Sequence, residues 1–502
     1  MSLTKERGCP SGQIMALLGA LWLGFFPLWQ DGSYTRITRV KWLGMLVLTG
    51  VTAALIVGLV VWTLMKRQRR SVRLHPVQGL ALAYLGWLAL SALFGSMADS
   101  VNGAGQLTVL MGARRYEGLV TQSCYIAIFL MMSLYPANLR RVMNAAALGM
   151  LIYGAIVALQ YAGFNPFGLF PGGLSVRTNY EFQGTLGNID MVSGYVCLLM
   201  PALLFSYALL GTGLLCLLAG EVGVLLLLLI EVQSGLIALA LALAALALVA
   251  LLRPETRCRG CVVLACALVT LSLRLLLGLP WHDGTERILF PHAVALWKLA
   301  PLALAALLAL MAGRLSHRPG RAISGRWVLA LAALGMVVVM LAVLLLPFPE
   351  GSGLWELKEI LRGRPQDSFG SERLGIWRLT LEMARENLLF GTGPDTFWYA
   401  MAQYQAETEQ GLIQRFDNPH NILLSVLSGS GLPALLLYLA LLAAVAVMCL
   451  RSSRKDAWPL ALLAGLVAYQ VQGLFTFSLC LVSPMFWAML GMAVSQSCRR
   501  EE

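Results

Sequence analysis

Apolar runs of about twenty residues recur along nearly the whole chain, separated by short polar breaks, and a helix of that length crosses about 30 Å of hydrocarbon. Of the 502 residues, 58% are hydrophobic and 12% are charged. A water-soluble fold could not hide that much apolar surface behind so few charges. Backbone groups in lipid must be satisfied within their own segment, so the runs are predicted to be helices and the chain an all-α, polytopic integral membrane protein. About fourteen spans are predicted, at 13–29, 42–64, 76–95, 118–135, 143–163, 189–210, 213–230, 234–252, 260–280, 291–312, 327–347, 421–450, 459–477 and 482–497. Residues 1–347 then hold spans one to eleven, 348–420 form one large loop, and 421–502 hold spans twelve to fourteen.

Charge placement orients these spans. With the N-terminus inside, alternate loops carry Lys66, Arg67, Arg69, Arg70 and Arg73, then Arg140 and Arg141, then Arg253, Arg257 and Arg259. Arg314, Arg318, Arg321 and Arg326 follow, and Arg451, Arg454 and Lys455 complete the set. Gathering short basic loops on one side satisfies the positive-inside rule, so both termini are expected in the cytoplasm and 348–420 outside. Segment 30–41 is the exception, placing Arg36, Arg39 and Lys41 outside and weakening the first span. The net charge of +12 is thereby topological, and no nucleic-acid partner is expected. Most cysteines lie within spans as small apolar residues, and the Cys258–Cys261 pair has no companion at zinc-binding spacing.

Few charges fall inside spans. Glu231, Arg274 and Lys298 lie near boundaries, where they can snorkel, whereas Glu221 is deepest and is expected to make a helix–helix hydrogen bond. Internal repeats, which build many transporters, are not evident.

The large loop carries eleven acidic and seven basic residues, so it is not a general polyanion surface. A helical pattern runs from Arg373 to Leu389, ending at Gly391 before a tight GTGPD turn. Arg378, Glu382 and Arg385 share a solvated stripe, whereas Arg373 shares the face of Ile376, Trp377, Thr380 and Met383. An arginine on an apolar face needs an anionic partner, either a structural carboxylate or a substrate phosphate. The loop ends in FDNPHN, 416–421, before a long apolar helix; Asn418 is the expected cap and Pro419 the first helical residue, which puts His420 in the first turn. A helix N-terminus attracts anions. His420 there, beside Arg373, is a site candidate as well as a plain structural histidine. Two further segments expected outside carry arginines: GARRYEG, 112–118, with Arg114 and Arg115, and SVRTNYEFQGTLGNIDMVSGY, 175–195, with Arg177. Such arginines would meet lipid phosphate or substrate phosphate.

The RxxxW helix, the GTGPDTF turn, HNILLSVLSGSGLPALLLYLALL at 420–442, GTLGNIDMVSGY and RYEG at 115–118 together resemble the bacterial O-antigen ligase and polymerase superfamily. The likeness covers about 115–200 and 370–445, and the rest by topology. It implies a C-type glycosyltransferase-like membrane fold. It also implies an inverting, metal-independent, cofactor-free transfer of a glycan from undecaprenyl diphosphate to an acceptor hydroxyl, on the outer face of the cytoplasmic membrane. The acceptor would be a glycan, a lipid or a protein. By position the resemblance makes Arg373 and His420 catalytic and matches Arg177, several residues upstream of GTLGN, to an arginine of the earlier outer loop; Arg177, Arg114, Arg115 and Asn421 are the expected substrate contacts. A diphosphate leaving group needs charge stabilisation more than protonation, which arginine supplies, and the acceptor hydroxyl needs a base or an orienting group. Two other readings compete. A glycan-lipid flippase or exporter would need a polar path through the spans. A cell-wall polymerase would use a loop carboxylate, from Asp367, Asp395 or Asp417.

Overall fold

A computed structural model describes residues 10–65, 75–173, 182–276, 300–317, 324–408 and 416–498. Arg177 and Lys298, with the loop residues Lys66, Arg67, Arg69, Arg70, Arg73, Arg318 and Arg321, lie outside the described residues. Nearly all regular structure is helical; the exception is a small antiparallel hairpin, β1 (Phe182–Gln183) and β2 (Gly187–Asn188).

The helices, in chain order, are α1 (Pro10–Ala20), α2 (Ile37–Met65), α3 (Pro76–Phe94), α4 (Thr108–Met111), α5 (Leu119–Ser133), α6 (Leu139–Tyr161), α7 (Ile189–Leu210), α8 (Leu214–Ile230) and α9 (Gln233–Leu252). They continue with α10 (Arg257–Leu276), α11 (Ala300–His317), α12 (Gly325–Leu345), α13 (Gly353–Leu361), α14 (Arg373–Glu386), α15 (Phe397–Glu407), α16 (Ile422–Ser452), α17 (Trp458–Gly473) and α18 (Ser483–Cys498). Each predicted span overlaps one of these helices, those at 260–280 and 291–312 in their described parts and that at 13–29 through α1 and the π and 3-10 turns that follow it. Among the described residues, nine helices are long and apolar enough to cross a membrane by length and composition, and α5, α8 and α11 are shorter apolar helices.

Apolarity on all faces leaves a helix free to sit in lipid or in a protein core. Here both occur. Helix α7 is buried along almost its whole length, packed by α8 and α17, and α18 is buried between α5, α16 and α17. Helix α12 is instead exposed along nearly all of its described surface.

Three charged residues depart from expectation. Lys41 is no loop charge: it lies fully buried in α2, and its Nζ donates to the carbonyls of Phe26 and Pro27, each at 2.8 Å. Those carbonyls end the first apolar segment, whose α1 helix continues through a π turn and a short 3-10 turn to Leu28. Met15, Leu18 and Trp22 are fully buried, so this segment belongs to the core. Glu231 and Arg274 pair with each other at 2.5 Å instead of snorkelling separately. Glu221 does accept from Thr270 Oγ1 across helices at 2.9 Å, as the sequence suggests.

The 348–420 segment docks on the bundle through backbone. Thr392 N and Gly393 N donate to the Ser428 and Gly429 carbonyls at 2.9 and 2.8 Å, and Leu432 N donates to Leu388 O at 2.7 Å. Helix α16 breaks its regular pattern to allow this, with Gly431 at φ +78°, ψ 176°. A Cβ on Gly391 would lie 2.5 Å from the Gly429 carbonyl carbon, and one on Gly431 would overlap the Leu389 carbonyl. Ser91 of α3 completes the joint, its hydroxyl within 2.6 Å of Phe390 O and 3.0 Å of Gly429 O. Glycine permits this approach because it has neither a Cβ nor a penalty at positive φ.

Candidate functional site

Helix α14 begins at Arg373 and ends at Glu386, short of the predicted Leu389; Asn387 caps it and a turn leads to Gly391. The predicted faces are observed. Ile376, Thr380 and Met383 are buried, Arg373 is half-buried, and Arg378 and Arg385 are exposed. Arg378 pairs with Asp367 at 2.7 Å and with Glu382 at 3.2 Å. Arg373 makes no ion pair among the described residues: its Nη1 donates to Gly370 O at 3.0 Å, and its buried Nε has no partner there.

The FDNPHN segment differs from expectation by one turn. Asn421, not Asn418, caps α16, accepting from Leu423 N and Leu424 N at 2.9 and 3.1 Å. His420 therefore precedes the helix. Of Asn421, expected to touch substrate, the carboxamide oxygen is engaged as the cap. Asn418 Oδ1 instead accepts from His420 N at 2.8 Å, and Trp377 Nε1 of α14 donates to Pro419 O at 2.9 Å. These bonds hold His420 at φ +47°, a conformation that costs a non-glycine residue about 1–3 kcal/mol unless its surroundings impose it. Its imidazole meets the Phe477 ring edge-on at 5.3 Å, and its Nδ1 is buried without a partner among the described residues. Burial first, and then the Arg373 charge, pushes its pKa down to about 4, so the ring is neutral at pH 7.

GARRYEG is brought to the same place by the GTGPD turn. Asp395, at φ +56°, accepts from Ala113 N at 3.0 Å and Glu117 N at 3.2 Å through one carboxylate oxygen. Burial pushes Asp395 up to about 6, against those two backbone bonds. Tyr116 is likewise left-handed, at φ +61°, and stacks on Trp42 at 4.9 Å. The neighbouring arginines diverge. Arg114 is exposed and lies over Trp398 at 4.3 Å. Arg115 lies over Phe477 at 3.9 Å and is ion-paired with Asp417, leaving its Nη1 buried without a partner among the described residues. Asp190, in the first turn of α7, lies within the field of both Arg373 and Arg115.

Four segments thus assemble Arg373, His420, Arg115, Asp417 and Asp190 at the bundle end that carries the 348–420 segment. Arg114, beside Arg115 in the chain, meets Trp398. Glu117, Phe477 and the Trp377 bond to Pro419 were not singled out by sequence. The signals for them were a carboxylate abutting an apolar span, aromatics in the short FTF break, and a tryptophan on the Arg373 face. Among the described residues, no group of three or more His, Cys, Asp and Glu is arranged to hold a metal ion.

Residues 295–439 match the family model described as O-antigen ligase. No curated protein matches the chain. The matched stretch contains Arg373, the GTG–GSG joint, Asp417 and His420, with α12 and part of α16. The similarity, confined to residues 295–439, supports the chain's resemblance to the O-antigen ligase and polymerase superfamily, in a chain whose apolar helices suit a multi-pass membrane protein.

Proposed function

We propose that the protein is a glycosyltransferase that moves a glycan from undecaprenyl diphosphate to an acceptor hydroxyl at the outer face of the cytoplasmic membrane. Its fourteen apolar helices are read as spans, with both termini in the cytoplasm. The observation that carries this reading is a pair of buried polar atoms on neighbouring segments, Arg373 Nε and His420 Nδ1, that have no partner among the described residues. A cation with an unused donor suits a phosphate oxygen, and a neutral imidazole suits a proton in transfer.

The acceptor oxygen attacks the anomeric carbon from the side opposite the diphosphate. A carbon–oxygen bond forms as the bond to the leaving phosphate oxygen breaks, and the hydroxyl proton passes to His420. One displacement inverts the anomeric centre. Arg373 takes the charge that grows on the leaving group, and Arg115 adds to the positive field although Asp417 partly neutralises it. The diphosphate also offsets the arginine field that depresses the His420 pKa, so a bound donor makes His420 a stronger base. No metal ion enters this scheme.

Each loop carboxylate of the competing polymerase reading already has a partner within the protein: Asp367 with Arg378, Asp395 with backbone amides, and Asp417 with Arg115. The test is transfer by purified protein in lipid nanodiscs, given a glycan on undecaprenyl diphosphate and a hydroxyl acceptor. Release of undecaprenyl diphosphate with stoichiometric product supports the reading. Translocation of the donor without release would favour the flippase.

A further inference from the structure

Beneath GARRYEG lies a partly enclosed cavity of about 130 Å³. Neither His420 nor Arg373 lines it, although Phe477, Asp417 and Arg115 do. Part of its lining is aromatic: Tyr84, Tyr438 and Trp487 lie 5.7–6.5 Å from one another, with Tyr469 beside them. Glu117 and Asp395 add carboxyl groups, and Ser425, Ser430 and Ser478 add hydroxyls.

The charge balance of this lining selects its occupant. Arg115 is its one cation, and Asp417 already neutralises it. A diphosphate would therefore meet more negative charge than positive. A lipid tail would meet buried carboxyl groups that it could not satisfy. A sugar ring has what both lack. Its axial C–H faces pack on aromatic rings, whose faces are electron-rich, while its hydroxyls exchange hydrogen bonds with carboxyl and serine groups.

We propose that this cavity is a saccharide subsite that takes one uncharged sugar ring of the acceptor, with Glu117 as its principal hydrogen-bonding partner. Glu117 is 9% exposed, and Tyr125 Oη at 2.8 Å and Gln122 Nε2 at 3.3 Å hold its two oxygens in place. Burial keeps its carboxyl well above the usual range. Each of its two oxygens keeps acceptor capacity for a sugar hydroxyl, and Gln would replace one of those oxygens with a donor. Naming the sugar as the acceptor's rests on the transferase reading; the subsite itself does not.

The experiment measures binding and kinetics separately. Full-length protein in nanodiscs is titrated with methyl glycosides of glucose, galactose and N-acetylglucosamine, and in parallel with pyrophosphate, by saturation-transfer NMR. At least one glycoside binds wild type. Glu117→Gln weakens it at least about tenfold, Ser425→Leu, which fills the cavity from α16, abolishes it, and neither changes pyrophosphate binding. Ser425→Leu leaves GARRYEG untouched, so it decides the matter if Glu117→Gln fails to fold. No glycoside binding to wild type, or unchanged affinity in the folded variants, overturns the subsite. In the transfer assay, Glu117→Gln raises the KM for acceptor at least about tenfold at constant donor KM. A rise in donor KM instead overturns the acceptor assignment. If glycosides bind as stated but no glycan is transferred, the transferase reading fails and the subsite stands.

Discussion

Arg115 and His420, distant in sequence, share one aromatic ring: the Arg115 guanidinium lies 3.9 Å over the Phe477 centroid, and the His420 imidazole meets that ring edge-on at 5.3 Å. Phe477 also lines the cavity, so it links the two halves of the site. Phe477→Leu keeps bulk but removes the ring quadrupole, worth about 0.5–2 kcal/mol to a guanidinium. Turnover is expected to fall about 3- to 30-fold with the melting temperature within a few degrees of wild type. Unchanged turnover would show that the ring does not position either residue.

Helix α14 separates its arginines by environment. Arg373→Ala is expected to abolish transfer. Arg378→Ala and Arg385→Ala should stay within about threefold of wild type, because exposed ion pairs such as Arg378–Asp367 contribute only about 0–1 kcal/mol. The comparison uses variants matched for membrane protein level, and equal loss from all three contradicts the face assignment.

The glycine joint predicts a stability effect without any catalytic residue. Gly431→Ala forces a Cβ onto the Leu389 carbonyl at positive φ and should cost more than about 3 kcal/mol, seen as loss of folded protein on size-exclusion chromatography. Gly335→Ala, whose Cβ would meet open space in α12, serves as the control and should be silent.

Much of this was readable in the chain because lipid imposes a simple rule, and in the described residues the apolar runs are helical. The face carrying Arg373 was readable for a similar reason, since helical phase needs only local spacing. What was not readable depends on distant partners. Lys41 looks like a loop charge until the Phe26 and Pro27 carbonyls are seen to need a donor. Asn418 looks like a cap, yet Trp377 holds Pro419 outside the helix and Asn421 takes that role. Arg114 and Arg115 are adjacent, and only Trp398 and Asp417, nearly 300 residues away, pull them apart.

Topology has a direct check. Gln405 is 4% exposed and a poor reporter, whereas neighbouring Ala406 is exposed. In a variant lacking native cysteines, Ala406→Cys should react with a membrane-impermeant maleimide in intact spheroplasts. Reaction only after lysis would put 348–420 in the cytoplasm and remove the proposed reaction with it.

The His420 pKa gives a signed pH dependence. It falls from 6.5 to about 4 on folding, so the unfolded chain binds this proton more readily. His420 therefore contributes stability that is complete above pH 6.5 and is lost as pH falls towards 4, and His420→Gln should flatten that part of the melting profile. In catalysis, the acidic limb of kcat/KM reports free enzyme and should lie near 4. The limb of kcat should lie higher, because bound diphosphate offsets Arg373. Coincident limbs would mean that the donor does not approach the imidazole.

The central claim is that Arg373 holds the diphosphate while His420 acts on the acceptor proton. The measurement that tests it most directly is donor binding set beside single-turnover transfer, on purified wild type, Arg373→Ala and His420→Ala with one undecaprenyl diphosphate glycan. His420→Ala should bind donor within about threefold of wild type and lose about 100- to 10,000-fold in the transfer rate, the range of a general base. Arg373→Ala should lose donor affinity as well as rate, and added chelator should change neither. Near-full turnover by His420→Ala, or a chelated enzyme restored by a divalent metal, would contradict the account.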